Sequence, residues 1–84
     1  MEKSKIKGGL EMSYPEMHLV SSSNVAALGY DQESQIMYVR FQNGTLYSYS
    51  GVPEFEFEAL KNASSIGSYL NRNFKNVYAY ERIE

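Results

Sequence analysis

Residues Tyr38 to Val52 read YVRFQNGTLYSYSGV, and the way this stretch pairs with itself decides the fold. Tyrosine-rich segments flank Asn43-Gly44, with Arg40 among them. Gly44 can adopt a positive φ without steric cost, so the pattern predicts a β-hairpin. Its register is open between two alternatives. A two-residue type I′ loop at Asn43-Gly44 sets Arg40 opposite Tyr47 and Tyr38 opposite Tyr49, a tyrosine and arginine face suited to stacking bases. A type I turn over Gln42-Asn43-Gly44 with a G1 bulge instead pairs Val39 with Tyr47 and Met37 with Tyr49. The second is favoured, because it gathers Met37, Val39, Phe41, Tyr47 and Tyr49 on one apolar side and sends Tyr38 and Arg40 to the other.

Working upstream, Met37, Val39 and Phe41 alternate with Ile36, Tyr38 and Arg40, which predicts a strand over 35–41. Asp31 to Ser34 is turn-like. Val25 to Tyr30 (VAALGY) reads as a first strand, with Gly29 marking a bulge or a close backbone approach; Ala26, Ala27 and Leu28 make a helix the competing reading. Ser21-Ser22-Ser23-Asn24 is a turn-forming cluster. Residues 1–18 carry Lys3, Lys5, Lys7, the Gly8-Gly9 pair and Pro15 with little periodicity. They are expected to form a flexible N-terminal extension, leaving residues 19–84 as the domain, although a short extra strand around Met17 to Val20 is open.

Downstream, Thr45 to Ser50 is the third strand. Pro53 suits the first turn of a helix, and Glu54, Glu56 and Glu58 favour the positive end of its dipole. Phe57, Leu60 and Ala63 share a face; Phe55 lies about 200° from Phe57, off that stripe. Asn62 to Ser64 breaks this helix. Ser65 is placed to cap a second one, whose stripe is Ile66, Tyr69, Leu70 and Phe74. Residues 76–83 read as extended, with Tyr78, Tyr80 and Arg82 on one side.

A chain of 84 residues is one domain at most, with a small core. Cysteine is absent, which rules out disulfides and thiolate chemistry and is compatible with a reducing cytoplasm. No apolar run approaches the roughly 20 residues that span a bilayer. The N-terminal lysines are not followed by an apolar segment, so neither a signal peptide nor a membrane association is expected, and the cytoplasm is the expected location. The formal net charge of −2 counts against a strongly electrostatic nucleic-acid binder, whose affinity comes largely from phosphate neutralisation. A local basic patch can coexist with it.

No constellation for catalysis emerges. His18 is the single histidine, so no metal site and no cofactor are expected. Glu54, Glu56 and Glu58 are explained as a solvated acidic helix start, and the serines as turn and cap residues. What stands out is eight tyrosines in so short a chain. Tyrosine offers a flat apolar body with a polar tip, useful for stacking on bases and for protein interfaces. Arg40, Arg72, Lys75 and Arg82 are the cations nearest to them.

Taken in order, SSNVAALGYD (Ser22 to Asp31), MYVRFQNGTLYSYSGVP (Met37 to Pro53), ALKNASSIGSYLN (Ala59 to Asn71) and YAYERI (Tyr78 to Ile83) resemble the KTSC domain, which occurs at the C-terminus of some lysyl-tRNA synthetases and as stand-alone small bacterial and phage proteins. Tyr47-Ser48-Tyr49 after the Asn43-Gly44 turn is the most characteristic element of the match. The resemblance implies a non-enzymatic binding module with an association to RNA.

The expected fold is therefore α+β: a three-stranded antiparallel meander followed by two short helices on one face and an extended C-terminal segment. Val25, Leu28, Val39, Phe41, Phe57, Leu60, Leu70 and Phe74 would form the core. The expected function is RNA binding through Tyr38, Arg40, Tyr47, Tyr49, Arg72, Lys75 and Arg82, the tyrosines stacking on unpaired bases and the cations meeting phosphates. The alternative is a protein-interaction or self-association module built on exposed tyrosines and sheet edges.

Overall fold

A computed structural model describes residues 14–84. The elements are β1 (Met17–Leu19), β2 (Val25–Asp31), β3 (Ile36–Phe41), β4 (Leu46–Tyr49), α1 (Glu54–Lys61), α2 (Ile66–Asn73) and β5 (Tyr80–Arg82). The strands form one antiparallel sheet in the order β1-β2-β3-β4-β5. The α+β class and the two helices on one face are as expected, but the sheet has five strands rather than three. The additions are its two short edges. Of the extension expected over residues 1–18, residues 1–13 lie outside the described residues, while Met17 and His18 belong to β1.

The hairpin takes the bulged register. Val39 pairs with Tyr47 and Met37 with Tyr49. The Gly44 N–H donates to Phe41 O at 2.9 Å, the Phe41 N–H donates to Thr45 O at 2.9 Å, and Gly44 adopts φ +94°, a conformation that glycine reaches without a Cβ penalty. Asn43 Oδ1 accepts from the backbone N–H and the hydroxyl of Thr45 at 3.0 and 2.8 Å, tightening the same turn.

VAALGY is strand, not helix, because both of its faces are used. Val25, Leu28 and Tyr30 turn toward the helices, where Leu28 pairs with Val39 and Tyr30 with Met37. Ala27 and Gly29 face the other way, opposite Arg40 and Tyr38. The register shift falls between Val25 and Ala27. Gly29 serves the close approach of β1: a Cβ there would lie 2.5 Å from Met17 Sδ and 3.1 Å from Glu16 O.

Pro53 is the N-cap of α1 with extended φ −70° and ψ 153°, one position earlier than the first-turn placement expected. Its carbonyl accepts from the Glu56 and Phe57 N–H groups. Ser65 caps α2 as expected, its hydroxyl accepting from the Ser68 N–H. Tyr30 ties sheet to helix: its ring stacks on Phe57 at 4.9 Å and its hydroxyl donates to Val52 O at 2.6 Å.

The core joins Val25, Leu28, Met37, Val39, Tyr49, Val52, Phe57, Leu60, Ile66, Leu70 and Phe74. Phe41, expected within it, is only partly buried against its edge. Phe55 is 74% exposed, in keeping with its position off the stripe. Phe74 is fully buried beyond the last turn of α2, with ring centroids 5.9 Å from Tyr49, 6.3 Å from Tyr69 and 5.2 Å from Tyr78. It holds α2 to the sheet and the chain after it to α2. Phe74→Ala should therefore cost about 3–5 kcal/mol, read as a lowered urea midpoint with little change in slope.

Candidate functional site

The helices cover the sheet unevenly. α1 lies against β2 and Phe74 at the end of α2 meets Tyr49 of β4, while the β4–β5 side carries aromatic rings outward from the core. Tyr49 is 6% exposed and meets Phe74 edge-on. Tyr80, its register partner on β5, is 53% exposed and lies 5.8 Å from Tyr49 and 5.9 Å from Tyr47. Tyr47 in turn meets Phe41 edge-on at 5.5 Å. The rings form one continuous surface whose inner end is core and whose outer end meets water.

Between this surface and α2 runs a groove of about 340 Å³. Phe41, Tyr47, Tyr49 and Tyr80 supply its aromatic side; Gly67, Leu70, Asn71 and Lys75 come from α2 and its C-terminal end; Asn24, Asn43 and Thr45 complete the lining. Gly67 lies close to Asn24 across the groove: a Cβ there would meet Asn24 Cβ at 3.7 Å, an ordinary contact. A second, hydroxyl-rich hollow shares Asn24, Gly67 and Asn71 with the groove and includes Ser22 and Ser65. Both serines act as turn and cap residues: Ser22 Oγ accepts from the Asn24 and Val25 N–H groups, and Ser65 Oγ from Ser68.

Of the residues expected at the site, Tyr47, Tyr49 and Lys75 line the groove. Arg82 stands beside it as the register partner of Tyr47, its Nε donating to Glu84 O at 2.9 Å. Arg72 is exposed on α2, about 200° around the helix from Leu70. Tyr38 and Arg40 lie on the opposite face of the sheet. The tyrosine and arginine stacking face of the type I′ register does not form. Tyr38 is 9% exposed and covered by the edge of Tyr14, with centroids 5.3 Å apart. Arg40 Nη1 reaches Glu84 Oε1 at 2.7 Å and Gly44 O at 2.8 Å, tying the hairpin turn to the chain beyond β5.

Sequence reasoning missed Tyr80, Asn24, Asn43 and Asn71 as groove residues. Tyr80 was on the correct side of its segment, but its contacts depend on β5 joining β4 from across both helices. Asn24 and Asn43 lie in turn-forming stretches of the sequence, and the Asn43 side chain does serve its turn by accepting from Thr45; Asn71 carries no signal of its own.

The groove's chemistry is that of flat rings and amides with little charge. Among the described residues, no cluster of three or more histidine, aspartate or glutamate side chains is placed to hold a metal ion. Nor is any helix there long and apolar enough to cross a membrane.

Tyrosine protonation is bound up with the packing. Burial is the main cause that raises the phenol pKa values of Tyr30, Tyr38, Tyr49 and Tyr78. For Tyr69 the first cause is the hydrogen bond its hydroxyl donates to Glu56 Oε2 at 2.8 Å.

This small α+β domain, a meander with helices on one face and an aromatic groove at its open side, has relatives. Residues 21–78 match the KTSC domain, and the chain belongs to that family. An uncharacterised protein of Stutzerimonas stutzeri is 44% identical over 66 residues, covering 77% of this chain and 93% of the relative. A lysine–tRNA ligase of Nostoc punctiforme is 31% identical over 61 residues, 73% of this chain but only 11% of the ligase. The crystal structure of a KTSC domain protein from Yersinia pestis superposes with a TM-score of 0.77 at 28% identity, covering 82% of this chain and 97% of that one.

The tyrosines set an alkaline limit on stability. Unfolded tyrosine ionises near pH 10, whereas the raised native pKa values keep the folded protein protonated to higher pH. Above about pH 10 the unfolded state therefore holds fewer protons, and stability falls as pH rises toward the native values. Urea midpoints should be flat across the range just below pH 10 and drop above it, with tyrosinate absorbance rising as the protein unfolds.

Proposed function

We propose that this protein is a non-enzymatic module that binds single-stranded RNA, seating an unpaired base in the groove between α2 and the β4–β5 side of the sheet. The observation that carries this reading is the half-exposed Tyr80 beside Tyr47 in a groove that also contains amides and Lys75. A base can stack on such a ring without regard to sequence, while cations beside it meet the backbone. Tyr47, Tyr49 and Tyr80 form the stacking surface, and Lys75 and Arg82 are the phosphate contacts. Tyr38 and Arg40 are structural, and Arg72 lies outside the path. The similarity to a segment of a lysine–tRNA ligase supports an RNA setting for the domain.

The net charge of −2 and the two phosphate contacts make this a binder led by stacking. Affinity for short single strands should weaken only modestly with salt, with a log–log slope of roughly −1 to −2. Tyr80→Ala should cost about 1–3 kcal/mol, or roughly 5- to 150-fold in affinity, with the fold intact. Arg40→Ala should leave RNA affinity unchanged and lower stability by no more than about 1 kcal/mol, the range for an exposed ion pair. NMR titration of labelled protein with short single-stranded RNA at low and moderate salt reads both. Shifts on Tyr47, Asn71, Lys75 and Tyr80 are the expected result. No shifts at low salt would turn the assignment to a protein partner or to self-association.

A further inference from the structure

The groove's polar atoms are as selective as its rings are general. Asn24, Asn43 and Asn71 line it, with Lys75 its one cation. Asn43 is partly committed, because its Oδ1 already accepts from Thr45 twice; it offers the groove only N–H. Asn24 and Asn71 make no side-chain hydrogen bonds with other described residues, so each presents a full carboxamide, donor and acceptor side by side.

We infer that the groove is a pocket for one unpaired adenine, read by the carboxamides of Asn24 and Asn71. This deepens the RNA reading and rests on it. The match is one of hydrogen-bond pattern. A carboxamide meets adenine in two bonds, accepting from N6–H and donating to N7. Guanine presents two acceptors, O6 and N7, which suit the fork of an arginine or a lysine ammonium. The groove has no arginine in its lining, and its one cation, Lys75, is assigned to a phosphate. Pyrimidines present a smaller ring to Tyr47 and Tyr80, and so less stacking surface.

The test uses the full chain and short oligouridylates carrying a single central adenine, cytosine or guanine. Central adenine should bind about fivefold or more tighter than the all-uridine strand, the low end of the discrimination from one good bidentate pair. Asn71→Asp replaces donor and acceptor with acceptors alone, which removes the bond to adenine N7. That variant should lose the adenine preference, read as a ratio of affinities so that a general loss from the added charge cancels. Asn71→Ala, which adds no charge, should bind all strands with the adenine advantage removed. Asn71 is exposed, so neither variant disturbs the core. Equal affinities for all central bases, a guanine preference, or an adenine preference that survives in Asn71→Ala would overturn the base assignment while leaving RNA binding standing. Failure of every strand to bind at low salt would overturn both.

Discussion

The turn at Gln42-Asn43-Gly44 constrains everything downstream of it. One additional residue in the loop, taken up by Gly44 at φ +94°, decides which side of the sheet Tyr47 and Tyr49 occupy, because strand side chains alternate and a slip of one residue exchanges the faces. In the observed register both tyrosines join Met37 and Val39 beneath the helices. In the other they would have lain with Tyr38 and Arg40, on the face away from α1 and α2. The helical stripe of Ile66, Leu70 and Phe74 would then have met Leu46 and Ser48 in place of rings. The core and the groove are consequences of the same turn.

From that register follows a graded aromatic surface. Tyr49 is part of the core, Tyr47 borders it and Tyr80 is half in water. Each ring supports the next, so the exposed one is held by the buried ones. A stacking platform needs this arrangement: a free tyrosine on a surface would lose rotamer freedom on binding, whereas one flanked by fixed neighbours is already ordered. The opposite face shows the contrasting use of the same residue type. Tyr38 is packed away under Tyr14, and Arg40 spends its charge on Glu84 and its hydrogen bond on the hairpin turn.

What could be read from the sequence was local. The strand alternation of Met37 to Phe41, the Asn43-Gly44 turn, the Ser65 cap and the stripe of α2 each depend on residues within a few positions of one another, and each formed close to where it was expected. The two edge strands were different. β1 and β5 are three residues each, too short to show a period, and they exist because of distant partners: Gly29 lets Met17 approach, and Tyr47 and Tyr49 receive Tyr80. Tyr38 looked available because its cover comes from a segment that reads as a tail. The groove was half visible, through Tyr47, Tyr49 and Lys75. Its amides were hidden because Asn24 and Asn43 read as turn residues and Asn71 as one more polar position of α2, until the fold sets all three around one space.

The last strand carries a consequence of its own. β5 comes from the far end of the chain, crosses back past both helices, and is fastened to β4 by a short ladder flanked by the bonds from Ser50 N to Ala79 O and from Ile83 N to Leu46 O. Edge strands of this length open more readily than the core they rest on. When β5 lifts, Tyr80 leaves and one side of the groove goes with it, yet the hairpin, the helices and Phe74 remain in place. The protein can thus be folded while the proposed stacking site is open at one side. In the proposed reading, its apparent affinity is the intrinsic one scaled by the fraction of time that three residues stay docked, so anything that grips or competes for that edge of β4 would govern binding without touching the groove.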